Sequence, residues 1–242
     1  MQKSLNIPTT NKKTIFGTLD TPKGKSKGLI IFVHGLTGHQ NEHIFFNGAK
    51  YFNSKGYSVY RFNLYGGEKN ARQLEDTSLK EHIQDVETVV KYFKKEGNQK
   101  IFFVGHSLGA IAIIEAKIKN ISGIILRDPA FNTKGSISND LHHKNKTYIL
   151  DRGIKYIIGE KMYHDLTYTR DHMKDIKDIS FPIKIICAGY GDNIREKSKI
   201  YYQGANKPKA FSIIPKAFHC FDEEGTEEKL FAETYKRVKK YS

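Results

Sequence analysis

The chain has 242 residues, of which 38% are hydrophobic and 27% charged, a composition that excludes a fibrous or disordered protein. Lysine and arginine number 40 against 26 acidic residues, and the net charge of +14 would favour anionic partners through long-range attraction. The lysines are scattered through every segment and form no basic stripe interleaved with aromatic residues, so we expect no nucleic-acid partner.

From the sequence we expect neither a targeting segment nor a metal site. No run of about 18 apolar residues is present, so we expect no membrane span. Residues 1–13 carry charged and amide side chains where a signal peptide would have its apolar core, which predicts a cytoplasmic protein. The two cysteines, Cys187 and Cys220, lack the spacing of a zinc site or of a disulfide framework.

Strand and helix patterns alternate along the chain. Residues 15–19 and the polar turn after them predict an antiparallel edge strand. Later runs are apolar nearly throughout, which is typical of parallel strands covered on both faces: 28–33, 57–62, 100–104, 123–126, 183–188 and 210–214. Apolar spacing indicates helices at 42–54, 79–96, 108–119, 194–202 and 227–241. This order predicts one α/β domain over residues 1–242, with a mostly parallel, doubly wound sheet and helices on both faces.

One segment departs from the alternation. Residues 131–179 are too long for a single crossover and are rich in histidine, tyrosine and charge. We therefore expect an inserted lid or cap over a functional end of the sheet. Its histidines, His142, His143, His164 and His172, lack a helix-spaced ligand pair with an acidic partner, so lid surface or substrate contact is favoured over a metal site.

A nucleophile motif follows the strand predicted at 100–104. Gly105-His106-Ser107-Leu108-Gly109 is the Gly-x-Ser-x-Gly elbow in its required setting, a strand before it and a helix after it. The serine occupies a strained apex, and only glycine fits where strand and helix crowd together. Ser107 is therefore the candidate nucleophile, whereas the adjacent His106 is expected to be a packed structural residue.

A serine needs a base and an orienting carboxylate. His219 follows the last predicted strand, at the carboxyl edge where catalytic groups of open α/β sheets collect. Asp192 follows the strand predicted at 183–188, and the chain order Ser107, Asp192, His219 is the one this architecture uses. Asp128 also follows a strand and stays an alternative acid, although its position before Pro129 is also typical of a turn.

A glycine-containing loop, His34-Gly35-Leu36-Thr37-Gly38, follows the first long strand. Its glycines permit a backbone that turns an N–H toward the reacting centre. We assign the oxyanion hole to the backbone amides of Leu36 and Leu108. His34 is expected either to support this loop or to pack in it without a further role.

Together these motifs resemble the α/β-hydrolase family over about residues 14–241, in particular serine hydrolases similar to bacterial cinnamoyl or feruloyl esterases and acyl thioesterases. The resemblance rests on residues 34–38 and 105–109 with Asp192 and His219 in order. It implies the α/β-hydrolase fold and hydrolysis of an ester or related acyl bond in a small-molecule substrate, through an acyl-serine intermediate, with no metal and no organic cofactor. The loop 61–68 departs from the usual Asp, Gly-His-Gly-x-Ser pattern, so the resemblance does not carry over the substrate class.

The expected reaction is therefore cleavage of a carboxylic ester by a Ser-His-Asp triad. Because these residues do not fix the leaving group, thioesterase, amidase and C–C hydrolase activities remain alternatives. From another class, the chain could be a non-catalytic binding protein that keeps the elbow as scaffold, or a basic nucleic-acid-associated domain. The presence of every triad residue type argues against the first of these, and the dispersed lysines argue against the second.

Overall fold

A computed structural model of the chain describes residues 1–131, 140–144, 147–168 and 170–242, and only the backbone of Lys144. In chain order the strands are β1 (Gln2–Ser4), β2 (Ile7–Pro8), β3 (Thr14–Ile15), β4 (Gly17–Asp20), β5 (Leu29–Val33), β6 (Ser58–Phe62), β7 (Ile101–His106), β8 (Gly123–Arg127), β9 (Leu141–Lys144), β10 (Thr147–Asp151), β11 (Lys155–Ile158), β12 (Ile183–Ala188) and β13 (Lys209–Ile214). The helices are α1 (His43–Ser54), α2 (Leu79–Lys95), α3 (Leu108–Glu115), α4 (Glu160–Thr167), α5 (Met173–Asp178), α6 (Asp192–Gly204) and α7 (Thr226–Lys240), with a 3₁₀ turn at Leu74–Asp76.

Eight of these strands form the main sheet, in the spatial order β1-β4-β6-β5-β7-β8-β12-β13. From β6 through β13 all neighbours pair in parallel, whereas β4 pairs antiparallel with β6 and β1 antiparallel with β4. The sheet is thus mostly parallel. Because parallel strands share one carboxyl edge, the loops after β5, β7, β8, β12 and β13 all emerge on the same side of the molecule.

The core lies on both faces of the sheet. Along β5, Ile30 and Phe32 pack with residues of α1 and α7, whereas Leu29, Ile31 and Val33 pack on the opposite face with residues of α2 and α3. Side chains of a strand alternate between faces, so strands covered on both sides must be apolar at nearly every position. This burial explains the continuous apolar runs of the sequence.

The α/β architecture predicted from the sequence is confirmed, and most element ends agree within two residues. Three local differences matter. Residues 17–20 are not the edge, because β1 pairs outside them. Helix α3 ends at Glu115 rather than at residue 119, and α6 begins at Asp192 rather than at residue 194. The last difference changes the assignment of the acid in the site.

The 131–179 segment contains further structure. Strands β9, β10 and β11 form an antiparallel sheet of their own, followed by α4 and α5. Leu150, Ile158, Met162, Leu166 and Ile176 are buried in the same apolar cluster as α2 and α3, so this segment shares the core of the main sheet. Residues 132–139, 145–146 and 169 of the predicted lid lie outside the described residues. Among the helices that the structure describes, none combines the length and apolarity needed to cross a bilayer.

Candidate active site

Ser107 lies at the turn between β7 and α3, with φ 53° and ψ −122°. Its N–H donates to the carbonyl of Arg127 at 3.0 Å, which ties the turn to the neighbouring strand β8. A Cβ added at Gly105 would lie 2.7 Å from Ala110 Cα, and one added at Gly109 would collide with the carbonyl oxygen of His34. The elbow therefore requires glycine at both positions, as the motif predicted.

His219, in the loop after β13, contacts both a hydroxyl and a carboxylate. Its Nε2 lies 2.9 Å from Ser107 Oγ, and its Nδ1 lies 2.5 Å from Asp128 Oδ2. A carboxylate accepts only, so the Asp128 contact assigns the Nδ1–H tautomer and leaves Nε2 to accept from the serine hydroxyl. The structure thus brings Ser107 and His219 together as expected. The carboxylate that is hydrogen-bonded to His219 is that of Asp128.

Asp128 is held rigidly beneath the imidazole. The residue is 1% exposed and has φ 42°, a left-handed backbone that turns the chain directly after β8. Its own N–H donates to the carbonyl of Ile186 at 2.7 Å, and its Oδ1 accepts the N–H of Ala188 at 3.0 Å. Both oxygens therefore have partners, one on the imidazole and one on β12.

The expectation that Asp192 would orient His219 is wrong. Asp192 is the first residue of α6, its side chain is 84% exposed, and it forms an ion pair with Arg195 one turn later. Because the helix starts at this residue, its carboxylate is part of the first helical turn and contacts solvent and Arg195 rather than the imidazole. The alternative acid named from the sequence, Asp128, occupies that position.

The loop after β5 lies against the nucleophile. A Cβ at Gly35 would come within 3.0 Å of Ser107 Cβ, and Leu36 and Leu108 line the same cavity as Ser107. The backbone N–H groups of Leu36 and Leu108 donate no hydrogen bond to another described residue. Two unpaired N–H groups beside a nucleophile are suited to bind a developing oxyanion. The oxyanion role of both amides stays a prediction.

His34 anchors this loop through both ring nitrogens. Nδ1–H donates to the carbonyl of Gly35 at 2.7 Å, and Nε2 accepts the N–H of Leu64 at 3.0 Å. Burial lowers the pKa of His34 to about 4, so the ring is neutral at pH 7 and can both donate and accept. The Tyr65 hydroxyl also donates to the Gly35 carbonyl, at 3.3 Å. Of the two roles considered for His34, these contacts favour support of the loop.

His106 packs beside His219. Its Nε2–H donates to the backbone carbonyl of His219 at 2.8 Å, and the two ring centroids are 4.7 Å apart. Burial holds the pKa of His106 well below its usual range, so the ring is uncharged. His106 therefore positions the loop that carries His219, which agrees with the structural role expected from the sequence.

Three histidines of the 131–179 segment form local contacts, and a fourth, His142, is exposed. His143 stacks on Tyr148 with centroids 4.4 Å apart, His164 pairs with Glu160 at 3.8 Å, and the buried His172 lies 3.4 Å from Glu115. Within the described ranges, no group of three or more His, Cys, Asp or Glu side chains could hold a metal ion.

A comparison with family models identifies the family of the chain. Residues 24–147, just over half of the chain, match the family described as serine aminopeptidase S33, a group of hydrolases. The chain belongs to this hydrolase family. The matched range includes Ser107 and Asp128 and ends before His219. No curated protein matches the sequence.

Solved structures show the same fold at low sequence identity. Est1E from Butyrivibrio proteoclasticus, solved with ferulic acid, is 21% identical at a TM-score of 0.83, with 98% of each chain covered. The α/β hydrolase GrgF from Penicillium sp. sh18 is 13% identical at a TM-score of 0.82, covering 100% of this chain and 99% of its own. The esterase domain of a Rhodothermus marinus protein is 16% identical at 0.75, with 98% of each chain covered. The chain therefore has the α/β-hydrolase fold.

A cavity of about 220 Å³ opens at Ser107 of this hydrolase. One part of its lining is apolar and comes from the loop after β8, from α4 and from α6, with Ala130, Phe131, Leu166 and Ile194. The lining also includes the polar side chains of Thr37, Glu42 and Cys220, of which Cys220 directly follows His219 in the chain. Arg152, Asn193 and Lys197 also reach the cavity.

Sequence reasoning missed two kinds of residue in this hydrolase. Glu42 directly precedes α1 and reads as an ordinary helix start, so nothing in its pattern indicates that its side chain lines the cavity. Tyr65 and His82, whose rings stack with centroids 5.9 Å apart behind the loop after β5, sit in segments without a motif. For Tyr65 the sequence offered one signal, because this residue lies in the segment 61–68 that departs from the family pattern.

Proposed function

We propose that this hydrolase cleaves a carboxylic ester through an acyl-serine intermediate. The observation that carries the proposal is the row of hydrogen bonds from Ser107 through His219 to Asp128, at 2.9 Å and 2.5 Å. A hydroxyl that donates to a neutral imidazole, itself oriented by a buried carboxylate, is the arrangement that makes serine a nucleophile at neutral pH.

In the first half of the reaction, His219 Nε2 takes the proton of Ser107 as Oγ attacks the carbonyl carbon. The negative charge that develops on the carbonyl oxygen is bound by the N–H groups of Leu36 and Leu108. Loss of one such donor typically costs about 3 to 4 kcal/mol of transition-state stabilisation, so two donors supply a large part of the barrier reduction. Asp128 stabilises the imidazolium while it exists.

In the second half, His219 returns the proton to the leaving oxygen and the alcohol departs. The same imidazole then activates a water molecule, which attacks the acyl group on Ser107 and releases the acid. Microscopic reversibility requires the donors at Leu36 and Leu108 to bind the second oxyanion as well. No step in this sequence calls for a metal or an organic cofactor.

The lining of the cavity supports a small acyl substrate. The apolar part formed by Ala130, Phe131, Leu166 and Ile194 is suited to an acyl chain or ring. Ferulic acid is bound in the crystal structure of Est1E, and a hydroxycinnamate ester is therefore one of the substrates to test. Because Arg152 and Leu166 belong to the 131–179 segment, we also propose that this segment acts as the lid of the site.

The family description favours a second candidate, removal of an N-terminal amino acid from a peptide. The same hydrogen-bonded row would serve an amide, provided that His219 protonates the poorer amine leaving group. An aminoacyl p-nitroanilide measured beside a p-nitrophenyl ester separates the two candidates. The proposal expects ester turnover to exceed anilide turnover when both are normalised to the uncatalysed rates.

Reaction with a fluorophosphonate probe tests the proposed nucleophile. The wild-type protein should become labelled at one residue and should hydrolyse a short-chain p-nitrophenyl ester. Ser107→Ala should abolish labelling and lower the turnover by a factor on the order of 10⁶, because the nucleophile and the general base act as one unit. An exposed serine on β1 outside the cavity lining gives the matched control, and Ser4→Ala should keep both properties. Labelling that persists in Ser107→Ala would contradict the proposal.

A further inference from the structure

Glu42 places a carboxylate in the wall of the cavity. Its Oε2 is buried and accepts no hydrogen bond from the part of the chain that the structure describes. It does not cap the helix that follows it, and it forms no ion pair with a described residue. A buried acceptor without a donor is uncommon in folded proteins and calls for an explanation such as a functional role or a bound partner.

The loop after β5 leaves space for this carboxylate. A Cβ at Gly38 would lie 2.6 Å from Glu42 Oε2 and 3.0 Å from both Oε1 and Cδ, so the side chain packs directly over the glycine backbone. A larger residue at position 38 would displace the end of the Glu42 side chain. The carboxylate thus packs against the same loop that carries the Leu36 amide.

The position of Glu42 relative to the reaction follows from the roles of the triad. The leaving oxygen must lie within reach of His219 Nε2, because this nitrogen returns the proton. The charge of His219 acts on the Glu42 carboxylate, and Glu42 in turn acts on the Cys220 thiol, so these groups lie near one another. Phe131 instead stacks on Tyr201 of α6, the helix that also carries Ile194. Glu42 therefore faces the alcohol part of an ester rather than its acyl part.

The partial burial of the Glu42 carboxylate favours a charged donor over a neutral one. Burial raises the pKa of Glu42, and the imidazoles of His39, His43 and His219 together with the backbone N–H of His39 oppose that rise. A desolvated carboxylate gains more from a charged donor than from a neutral one, because charge-assisted hydrogen bonds are roughly twice as strong. The net charge of +14 acts over a longer range, and salt screens it beyond about 8 Å at physiological ionic strength, so it does not decide this contact.

We propose that Glu42 is a specificity-determining residue that accepts a hydrogen bond from a protonated amine on the leaving alcohol of the substrate. The preferred substrates are accordingly esters of amino alcohols with a short apolar acyl group. This inference rests on the proposed ester hydrolysis. It adds the chemical class of the leaving group, which Ser107, His219 and Asp128 leave open.

A pair of matched esters tests the inference. The 2-(dimethylamino)ethyl and 3-methylbutyl esters of one short acid have nearly the same shape, and only the first carries an N–H⁺ donor at neutral pH. The ammonium also makes its alcohol a better leaving group, so the quantity to compare is the ratio of the two kcat/KM values before and after a substitution. Glu42→Gln should lower this ratio by about tenfold, the size expected when one charge-assisted hydrogen bond is lost.

Control variants separate this effect from a change in net charge or folding. Glu228→Gln removes the same charge from an exposed position on α7 and should leave the ratio unchanged. Glu42→Asp keeps the charge on a shorter side chain and should retain part of the preference. Fluorophosphonate labelling of Ser107 measures the fraction of each variant that is folded and active, so every kcat/KM value refers to competent sites.

Each outcome decides a different question. If both esters are hydrolysed and the ratio is the same in wild type and Glu42→Gln, the inference is overturned while ester hydrolysis stands. If Glu42→Gln instead changes the ratio only for 2-hydroxyethyl against propyl esters, a neutral hydroxyl is the ligand and the ammonium assignment is overturned. If no ester is hydrolysed by labelled wild-type protein, the proposed function fails and the inference fails with it.

Discussion

The loops after β8 and β12 leave neighbouring strands at the same edge of the sheet, and each carries an aspartate close to its start. After β8, Asp128 takes a left-handed conformation, stays buried and points its carboxylate at His219. After β12 the chain passes through Gly189 and Gly191 and enters α6, so Asp192 faces solvent. Position at a strand end is therefore insufficient for a catalytic carboxylate, and the backbone that follows the strand decides where it points.

The loop after β12 has a different part in the site. The N–H of Tyr190 donates to the carbonyl of Ala217 at 2.8 Å, two residues before His219. Gly189 packs against the backbone of the same loop, because a Cβ there would lie 2.8 Å from the carbonyl oxygen of Ile214 and 3.0 Å from the Lys216 amide nitrogen. One loop thus supplies the acid and the other supports the backbone that carries the imidazole.

Replacing each aspartate by asparagine tests most directly which of the two acts with His219. Asp128→Asn should lower kcat by a factor on the order of 10⁴, because the amide disfavours the Nδ1–H tautomer and no longer stabilises the imidazolium. Asp192→Asn should leave kcat within about twofold of wild type, as expected for a solvated surface residue. Both are measured with the same p-nitrophenyl ester, and a large loss in Asp192→Asn with a small one in Asp128→Asn would reverse the assignment.

The supporting role of the loop after β12 is tested at its two glycines. Gly189→Ala should lower kcat/KM by about 10- to 100-fold, because a displacement near 1 Å in the loop that carries His219 misaligns the base. Gly191→Ala should have little effect, since a Cβ at that position meets no atom within 4 Å. Equal kcat/KM values of the two variants would show that the contact of Gly189 with the His219 loop does not affect catalysis.

The smallest expected effect is on stability. Asp128→Ala should be less stable than Asp128→Asn by about 1 to 3 kcal/mol, because only asparagine keeps an oxygen for the buried N–H of Ala188. Asp192→Ala and Asp192→Asn should unfold at the same urea concentration. Urea unfolding followed by circular dichroism gives all four free energies, and identical stabilities of the two Asp128 variants would argue against a structural use of Oδ1.

The same comparison explains what the sequence could predict. The apolar runs of 28–33 and 183–188 reveal buried parallel strands because each face of the sheet must exclude water, and residues 105–109 reveal the elbow because crowding there admits only glycine. The choice between Asp128 and Asp192 depends on whether the next residues turn or begin a helix. Apolar periodicity places that start near Ile194, two residues late, since the first two residues of α6, Asp192 and Asn193, are polar.

The role of Glu42 could not be predicted from the sequence, for a different reason. In the sequence Glu42 is simply the residue that precedes a helix. Its proposed role depends on the packing of its carboxylate against Gly38, which exists only in the folded loop. His34 could be singled out from the sequence because it belongs to a recognisable motif. Its partner Leu64, and Tyr65 which contacts the Gly35 carbonyl, come from the loop after β6 and could not be predicted. Contacts between loops of different strands leave no periodic signal in a single sequence.

The Asp128 carboxylate bridges the imidazole of His219 and the amide of Ala188, so the separation of β8 and β12 sets the tilt of the His219 ring. Loosening this half of the sheet by heat or mechanical force would swing the ring out of line while the elbow at Ser107 stayed intact. Turnover would then vanish in a protein that still held most of its secondary structure, and cooling would restore it without refolding.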